Sequence, residues 1–303
     1  MGYAIVIHGG AGAWEAEGHE AAIAGVRGAT AIARDVLATG GAALDSVVAA
    51  VVALEDNPLF NAGTGSCLNL DGDAEMDAQV MDGQHLRAGA VAAIRRIRNP
   101  VLVARKVMEE TGHVLLAGEG ALRFARALGF DDHDPVTQRA RERWRERRDE
   151  LNDDPSQSRA PGINANSQGG TVGAVAVDGQ GRLAAATSTG GLTLKLPRRV
   201  GDTPIPGAGN YATAFAAASA TGHGELMMRT LATKRVCDWI ERGLDAQAAV
   251  EAVLEEMADC VGAEAGLIAV DRLGGIGVAH RTARMPFAYA REGDVEITAA
   301  IAR

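Results

Sequence analysis

Thr171 has the neighbours that can turn a hydroxyl into a nucleophile. It stands in Gly169-Gly170-Thr171-Val172-Gly173, between a polar stretch and an apolar run. In an uncut chain it reads as an ordinary strand-edge threonine. If the chain is cut between Gly170 and Thr171, the threonine gains a free α-amine with a reference pKa of about 7.7–8.0. That amine can accept the hydroxyl proton directly or through water, giving nucleophile and base in one residue. Gly170 suits such a cut, because glycine tolerates the strained backbone that brings the Thr171 hydroxyl onto its carbonyl. An N-to-O acyl shift and hydrolysis then release the new terminus.

Two other readings stand beside this one. Ala186-Thr187-Ser188-Thr189-Gly190 is a degenerate nucleophile elbow, and His8-Gly9-Gly10 has the form of an esterase oxyanion loop. A serine esterase would then use Ser188 with His223 or His280, although Gly190, Gly191 and Pro197 follow where an elbow needs a helix. The third reading is a binding protein that never cleaves itself. Gly207-Ala208-Gly209-Asn210-Tyr211-Ala212 matches a dinucleotide fingerprint, but Pro204 and Pro206 precede it where a strand belongs. The seven histidines lack H-E-x-x-H spacing, and no P-loop pattern occurs.

The elements around these residues are readable from periodicity. Residues 3–7 form a short strand running into the His8-Gly9-Gly10-Ala11-Gly12 turn. Helical spacing covers 20–39 and 42–55, split by Gly40-Gly41, and Asp56-Asn57-Pro58 stops the second helix. Strands are expected at 67–70, 74–81 and 88–94, with Asp71-Gly72 and Asp82-Gly83 as hairpin signals. Helices follow at 100–111 and 115–128. Strands at 172–177 and 183–187 are joined by Asp178-Gly179-Gln180-Gly181. A Pro/Gly-rich loop spans 196–210, then helices 224–242 and 245–260, then strands near 266–271, 275–280 and 286–290. Hairpins dominate near the glycines, so the sheets should be largely antiparallel.

Residues 131–168 break this pattern. Six arginines lie between Arg139 and Arg148, with acidic flanks and almost no core-forming side chains. Glu142 and Glu146 alternate with the arginines, which favours a self-compensated helix around 136–151 in a solvated linker over a basic arm for nucleic acid. The balance of the whole chain agrees. With 30 Lys+Arg against 39 Asp+Glu, the net charge is -9, against a general nucleic-acid binder. Hydrophobic residues at 47% and a mean hydropathy of -0.01 favour a packed core over disorder. Cys67, Cys237 and Cys260 form no C-x-x-C pair, which fits a reducing, cytoplasmic setting. The apolar stretch at 4–7 is too short for a signal core or membrane span, so no membrane partner is expected.

Taken together, the motifs resemble the plant-type asparaginase and isoaspartyl aminopeptidase family of N-terminal nucleophile hydrolases. The matching stretches are HGGAGA (8–13), LEDNPLFNAGTGS (54–66), EMDAQVMDG (75–83), GAVAAIRRIRNPVLVARKVME (89–109), GTVGAVAVD (170–178), ATSTGG (186–191), RVGDTPIPGAGNYA (199–212) and TGHGE (221–225). They cover nearly the whole chain outside the linker, in the family's order, and their joint occurrence is what makes them specific.

The resemblance implies a set of roles. Thr171 is the nucleophile, exposed by autoproteolysis at Gly170–Thr171, and Thr189 is a second threonine that orients it. Arg199 and Asp202 clamp an amino-acid substrate, guanidinium to α-carboxylate and carboxylate to α-ammonium. Thr221 and Gly222 supply the oxyanion hole through a hydroxyl and a backbone N–H. Asn61 lies near the nucleophile, where its amide supports the reacting water or oxyanion. Backbone carbonyls of Leu54, Glu55, Asn57, Phe60, Ala62 and Thr64 form a structural sodium loop, hard oxygen ligands suiting such an ion; no catalytic cofactor is implied. Gly170, where glycosylasparaginases place Asp, points to isoaspartyl dipeptides and L-asparagine as the small-molecule substrates. The implied fold is an α/β (α+β) four-layer αββα sandwich, a single domain cut into residues 1–170 and 171–303, with 131–168 a flexible linker at the end of the first piece. Two such α/β pairs would associate about a two-fold axis.

Overall fold

A computed structural model describes residues 2–153, 170–262 and 264–302. The remainder of the 131–168 segment beyond 153 lies outside the described residues. Twelve strands and eight α-helices are present among the described residues. The larger sheet runs β12 (Thr298–Ala302), β11 (Met285–Arg291), β1 (Ala4–His8), β5 (Val172–Val177), β6 (Leu183–Thr189), β2 (Met76–Asp82), β3 (Arg87–Ile94) and β4 (Leu115–Ala117). The smaller runs β10 (Ile276–His280), β9 (Ala265–Asp271), β8 (Ala216–Gly222) and β7 (Asn210–Ala212). Adjacent strands are antiparallel throughout except β3 and β4, which are parallel.

Apolar residues on both faces explain why the central strands read as unbroken hydrophobic runs. Side chains alternate across a strand. Ile5 and Ile7 of β1 therefore enter one core with α1 (His19–Ala38) and α2 (Ala43–Glu55), while Ala4 and Val6 enter another. That second core combines Val175 and Val177 of β5 with Ile268 and Val270 of β9, so the two sheets meet through it. Helices α3 (Pro100–Glu110) and α4 (Gly118–Ala127) join α1 and α2 against the larger sheet. Helices α7 (Ala232–Glu241) and α8 (Ala246–Val261) pack on the smaller sheet around Met227, Val236, Val253 and Leu267. Each such aliphatic side chain contributes about 1.5–3 kcal/mol on full burial.

Several elements differ from the sequence reading, each for a local reason. Residues 67–70 are loop, because the Asn69 side-chain oxygen accepts from the N–H groups of Asp71 and Asp73 and bends the chain there. The helix expected at 115–128 starts at Gly118, since Leu115–Ala117 pairs with Ala90–Ala92. The helix expected at 224–242 is broken by Leu231, whose φ of 50° ends α6 (Gly224–Thr230) before α7. Strand β8 was not expected: AAASATG consists of small residues with weak strand preference, and its place between β7 and β9 decides its conformation.

The charged helix exists as α5 (Gln138–Asp153). It is tethered rather than freely solvated along its length. The Trp144 indole N–H donates to the Asn69 carbonyl at 2.7 Å.

Candidate active site

Four strand ends bring the chemistry together. Thr171 immediately precedes β5, which lies between β1 and β6. The β5–β6 register pairs Val172 with Ser188, and one further step sets Thr171 opposite Thr189, the last residue of β6. The β1 end leads into Gly9-Gly10-Ala11, and the β8 end supplies Thr221 and Gly222. These ends border a cleft of about 590 Å³ lined by Gly170, Thr171, Thr189, Arg199, Asp202 and Gly222, among others.

The Gly170–Thr171 bond is inside this cleft, packed too closely for larger residues. A Cβ on Gly170 would lie 2.8 Å from both the Thr221 Oγ1 and the Ala11 carbonyl oxygen. Thr221 is fully buried, and its Oγ1 accepts from the Ala11 N–H at 3.0 Å. Gly222 follows with φ +135°, a conformation that side chains rarely adopt. Hydroxyl and N–H donors adjacent to a carbonyl are what a tetrahedral oxyanion needs.

The loop after Thr189 is held from two sides. Thr189 Oγ1 accepts from the Gly191 N–H at 3.0 Å. The Asn61 amide donates to the Gly191 carbonyl at 2.7 Å, while its oxygen accepts from Cys67 N–H at 2.8 Å. Asn61 thus serves the loop's shape and is not among the residues lining the cleft. One amide N–H is used by Gly191, and the other is left for a further acceptor.

Arg199 and Asp202 face each other across a notch that Gly224 leaves open. A Cβ on Gly224 would lie 2.7 Å from Asp202 Oδ1 and 3.0 Å from Arg199 Nη2. Arg199 Nε and Nη2 donate to the two Glu225 oxygens at 2.8 and 2.7 Å. Asp202 is only 4% exposed, and its Oδ2 has no hydrogen-bond partner among the described residues. Burial raises its carboxyl to about 7 against the opposing pull of Arg199. A buried carboxylate with an orphan oxygen calls for a cation. An α-ammonium beside an arginine-bound α-carboxylate satisfies both groups.

A buried ionic layer adjoins Arg199 and Asp202. Asp77 accepts from the N–H groups of Ala93 and Gly201, at 2.8 and 3.3 Å. Lys195 Nζ donates to the Glu75 carbonyl at 2.6 Å, and the Glu75 carboxylate accepts from Arg198 N–H at 2.7 Å. Burial pushes the Asp77 carboxyl up and the Lys195 ammonium down, and each charge partly restores the other. Sequence reasoning gave no role to Glu225, Asp77, Lys195 or Glu75. Glu225, Asp77 and Glu75 occur in the TGHGE and EMDAQVMDG stretches, but their partners lie up to 124 residues away. Behind Thr171, His8 Nε2 bonds Ser219 Oγ at 2.8 Å. Burial lowers His8 to about 3, so its ring is neutral at ordinary pH.

Ser188 has a different environment. Its hydroxyl donates to the Glu55 carboxyl at 2.6 Å, both residues are fully buried, and Ser188 does not line the cleft. His280 is engaged with Thr282, and His223 lines the cleft without Ser188. The serine-esterase arrangement is therefore not assembled.

A family model described as asparaginase matches residues 1–299. The chain belongs to the asparaginase family. It is 47% identical over 306 residues to the plant-type L-asparaginase of Pyrococcus furiosus, covering 98% of this chain and 99% of that protein. It is 46% identical to the plant-type L-asparaginase of Pyrococcus abyssi, with 96% and 97% covered. The isoaspartyl peptidase/L-asparaginase of Xenopus laevis is 44% identical, with 97% of this chain and 94% of that protein covered.

In this asparaginase-family chain, backbone carbonyls of the 54–64 loop crowd Gly63 and Gly65. A Cβ on Gly65 would lie 2.6 and 2.8 Å from the carbonyl oxygens of Pro58 and Phe60, and one on Gly63 would lie 2.6 Å from that of Glu55. The carbonyls of Glu55 and Asn57 each accept one N–H within the loop. A carbonyl oxygen keeps a second lone pair for a metal. No helix among the described residues is long and apolar enough to cross a membrane.

Proposed function

We propose that this asparaginase-family enzyme is an autoprocessing threonine amidohydrolase that converts β-aspartyl dipeptides and L-asparagine to L-aspartate. The observation that carries the reading is the Gly170–Thr171 bond, held beside Thr221 in the cleft that also contains Arg199 and Asp202. The printed names of the relatives, L-asparaginase and isoaspartyl peptidase, support the substrate class.

The steps follow from these positions. In processing, Thr171 Oγ attacks the Gly170 carbonyl carbon, the peptide C–N bond breaks, and the nitrogen takes up a proton as the Thr171 α-amine. Water hydrolyses the resulting ester, leaving the Gly170 carboxylate. In turnover, the freed amine takes the hydroxyl proton while Thr171 Oγ attacks the substrate's β-carbonyl. The Thr221 hydroxyl and Gly222 N–H stabilise the oxyanion. The proton passes to the leaving nitrogen, ammonia or an amino acid departs, and water hydrolyses the β-aspartyl ester. Thr189, opposite Thr171 one step beyond the Val172–Ser188 pair, orients the nucleophile.

The same proposal includes a four-layer αββα arrangement, supported by helices on the outer face of each sheet and the shared core between the sheets. It also includes a sodium ion in the 54–64 loop, held by the carbonyls of Leu54, Glu55, Asn57, Phe60, Ala62 and Thr64. That ion would fix loop shape and take no part in the chemistry. A cytoplasmic (αβ)2 assembly completes it.

A denaturing gel with terminal sequencing tests the reading. Two fragments should appear, of 170 and 133 residues, the second beginning at Thr171. Thr171→Ala should remain one 31.3 kDa chain without asparagine hydrolysis. Cleavage of that variant at the same bond would remove the mechanism.

A further inference from the structure

The arginine-bearing helix α5 reaches the cleft, and the way it is seated says why. Ala140, Arg143, Trp144 and Arg147 are half-buried, while Arg141, Glu142, Arg145, Glu146 and Arg148 are exposed. Their spacing of three and four residues is one helix face. Trp144 anchors that face through its indole bond to the Asn69 carbonyl, with its ring 3.4 Å from where a Cβ on Gly72 would lie. The next residue on the face, Arg147, lines the same cleft as Thr171 and Arg199.

Cleavage before Thr171 breaks none of these anchors, because α5, Asn69 and Gly72 all precede the cut. Arg147 therefore belongs to the mature cleft as well. Among the described residues that line the cleft, the permanent cations are Arg147 and Arg199. The aspartyl end of the substrate needs one of them. A β-aspartyl dipeptide also carries a second carboxylate, on the amino acid that leaves.

We infer that Arg147 is the leaving-group specificity residue, binding the C-terminal carboxylate of β-aspartyl dipeptides. The inference rests on the proposed hydrolysis of β-aspartyl bonds. In the structure the Arg147 guanidinium pairs with the carboxylate of Glu150 on its own helix, among other contacts. A pair three residues apart with its carboxylate side exposed is worth little by itself beside a substrate carboxylate held in the cleft. The consequence is a preference for free dipeptides over amidated or longer ones. L-Asparagine has nothing beyond its amide nitrogen and gains nothing from Arg147.

The experiment compares β-Asp-Leu, β-Asp-Leu amide and L-asparagine with fully cleaved wild type, Arg147→Gln, Arg147→Lys and Trp144→Ala. Arg147→Gln should raise KM for β-Asp-Leu about tenfold, with kcat kept, and leave the other two substrates within about twofold. Arg147→Lys should recover part of the loss. Trp144→Ala, which frees the helix, should reproduce the β-Asp-Leu defect. Equal losses on all three substrates would mark Arg147 as merely structural and overturn the inference, as would no loss on β-Asp-Leu. Wild type that hydrolyses asparagine but treats β-Asp-Leu and its amide alike would overturn it while leaving the proposed function standing. Wild type inactive on all three would overturn both.

Discussion

Glu225 grips Arg199 at two points, 2.8 and 2.7 Å, along the Nε–Nη2 edge of the guanidinium. That fork is the geometry in which arginine best holds a carboxylate. Its use by Glu225 fixes the plane of the group and leaves the Nη1 edge for the α-carboxylate in the proposed substrate complex. The Arg199 side chain is 15% exposed and that of Glu225 is 44% exposed, so the pair sits at the mouth of the notch. Glu225→Gln should therefore act on substrate binding rather than on chemistry. KM for asparagine should rise about fivefold with kcat nearly unchanged, as measured by steady-state kinetics.

Asp202 gives the enzyme a pH dependence of its own. Its carboxyl is raised to about 7, so below that pH it becomes protonated and loses its attraction for the substrate ammonium. The value of kcat/KM should fall about tenfold per pH unit on that side. Bound substrate stabilises the ionised form, so the limb in kcat should lie at lower pH than the limb in kcat/KM. Asp202→Asn should weaken binding and remove the displacement between the two profiles. Identical profiles for wild type and variant would contradict the assignment.

Processing should depend on the close approach of Gly10 to Gly170. A Cβ on Gly10 would lie 2.4 Å from the Gly170 nitrogen, and its φ of +102° already disfavours a side chain. Gly10→Ala should displace the scissile segment and slow cleavage about tenfold or more. A time course on denaturing gels measures it, with Tm reporting that the fold survives.

Glu55 should make stability fall with rising pH. Burial raises its carboxyl from 4.5 to about 8, so the folded state holds a proton that the unfolded state releases. Its contribution is complete below about pH 4.5 and is lost progressively as pH climbs through 8. Glu55→Gln keeps an acceptor for Ser188 and Val101, at 2.6 and 3.0 Å in the wild type, without the titration. The Tm of the variant relative to wild type should therefore increase between pH 5 and pH 8 by thermal melts, with little further change above.

Substrate discrimination tests the clamp directly. β-Asp-Leu and asparagine leave α-carboxylate and α-ammonium free, whereas α-Asp-Leu and N-acetyl-asparagine each lack one of the two ions. The latter pair should react at least about tenfold more slowly, since a buried charge is left unpaired. Comparable rates on all four would show that Arg199 and Asp202 do not form the clamp.

Local sequence determined most of the scaffold around these residues. Asp82-Gly83 and Asp178-Gly179-Gln180-Gly181 encode their turns, helical spacing encodes α1, α2, α3 and α8, and the apolar run before His8 encodes β1. The order of the motifs singled out Thr171, Thr189, Arg199, Asp202 and Gly222, and the fold brings all five to one cleft. These features are short-range or residue-type signals, which a chain carries before it folds. Only tertiary structure decided what those residues touch. Glu225 reaches Arg199 across 26 positions, Trp144 reaches Asn69 across 75, and Ser188 reaches Glu55 across 133. Asn61 is turned toward the Gly190–Gly191 backbone. Strand β8 exists because two partners hold an alanine-rich segment extended, and the bond from the Trp144 indole to the Asn69 carbonyl ties α5 to a loop distant in sequence. Periodicity records which face of an element is apolar; it does not record which distant atom meets a given donor, and that meeting set the charge, orientation and access of the groups in the cleft.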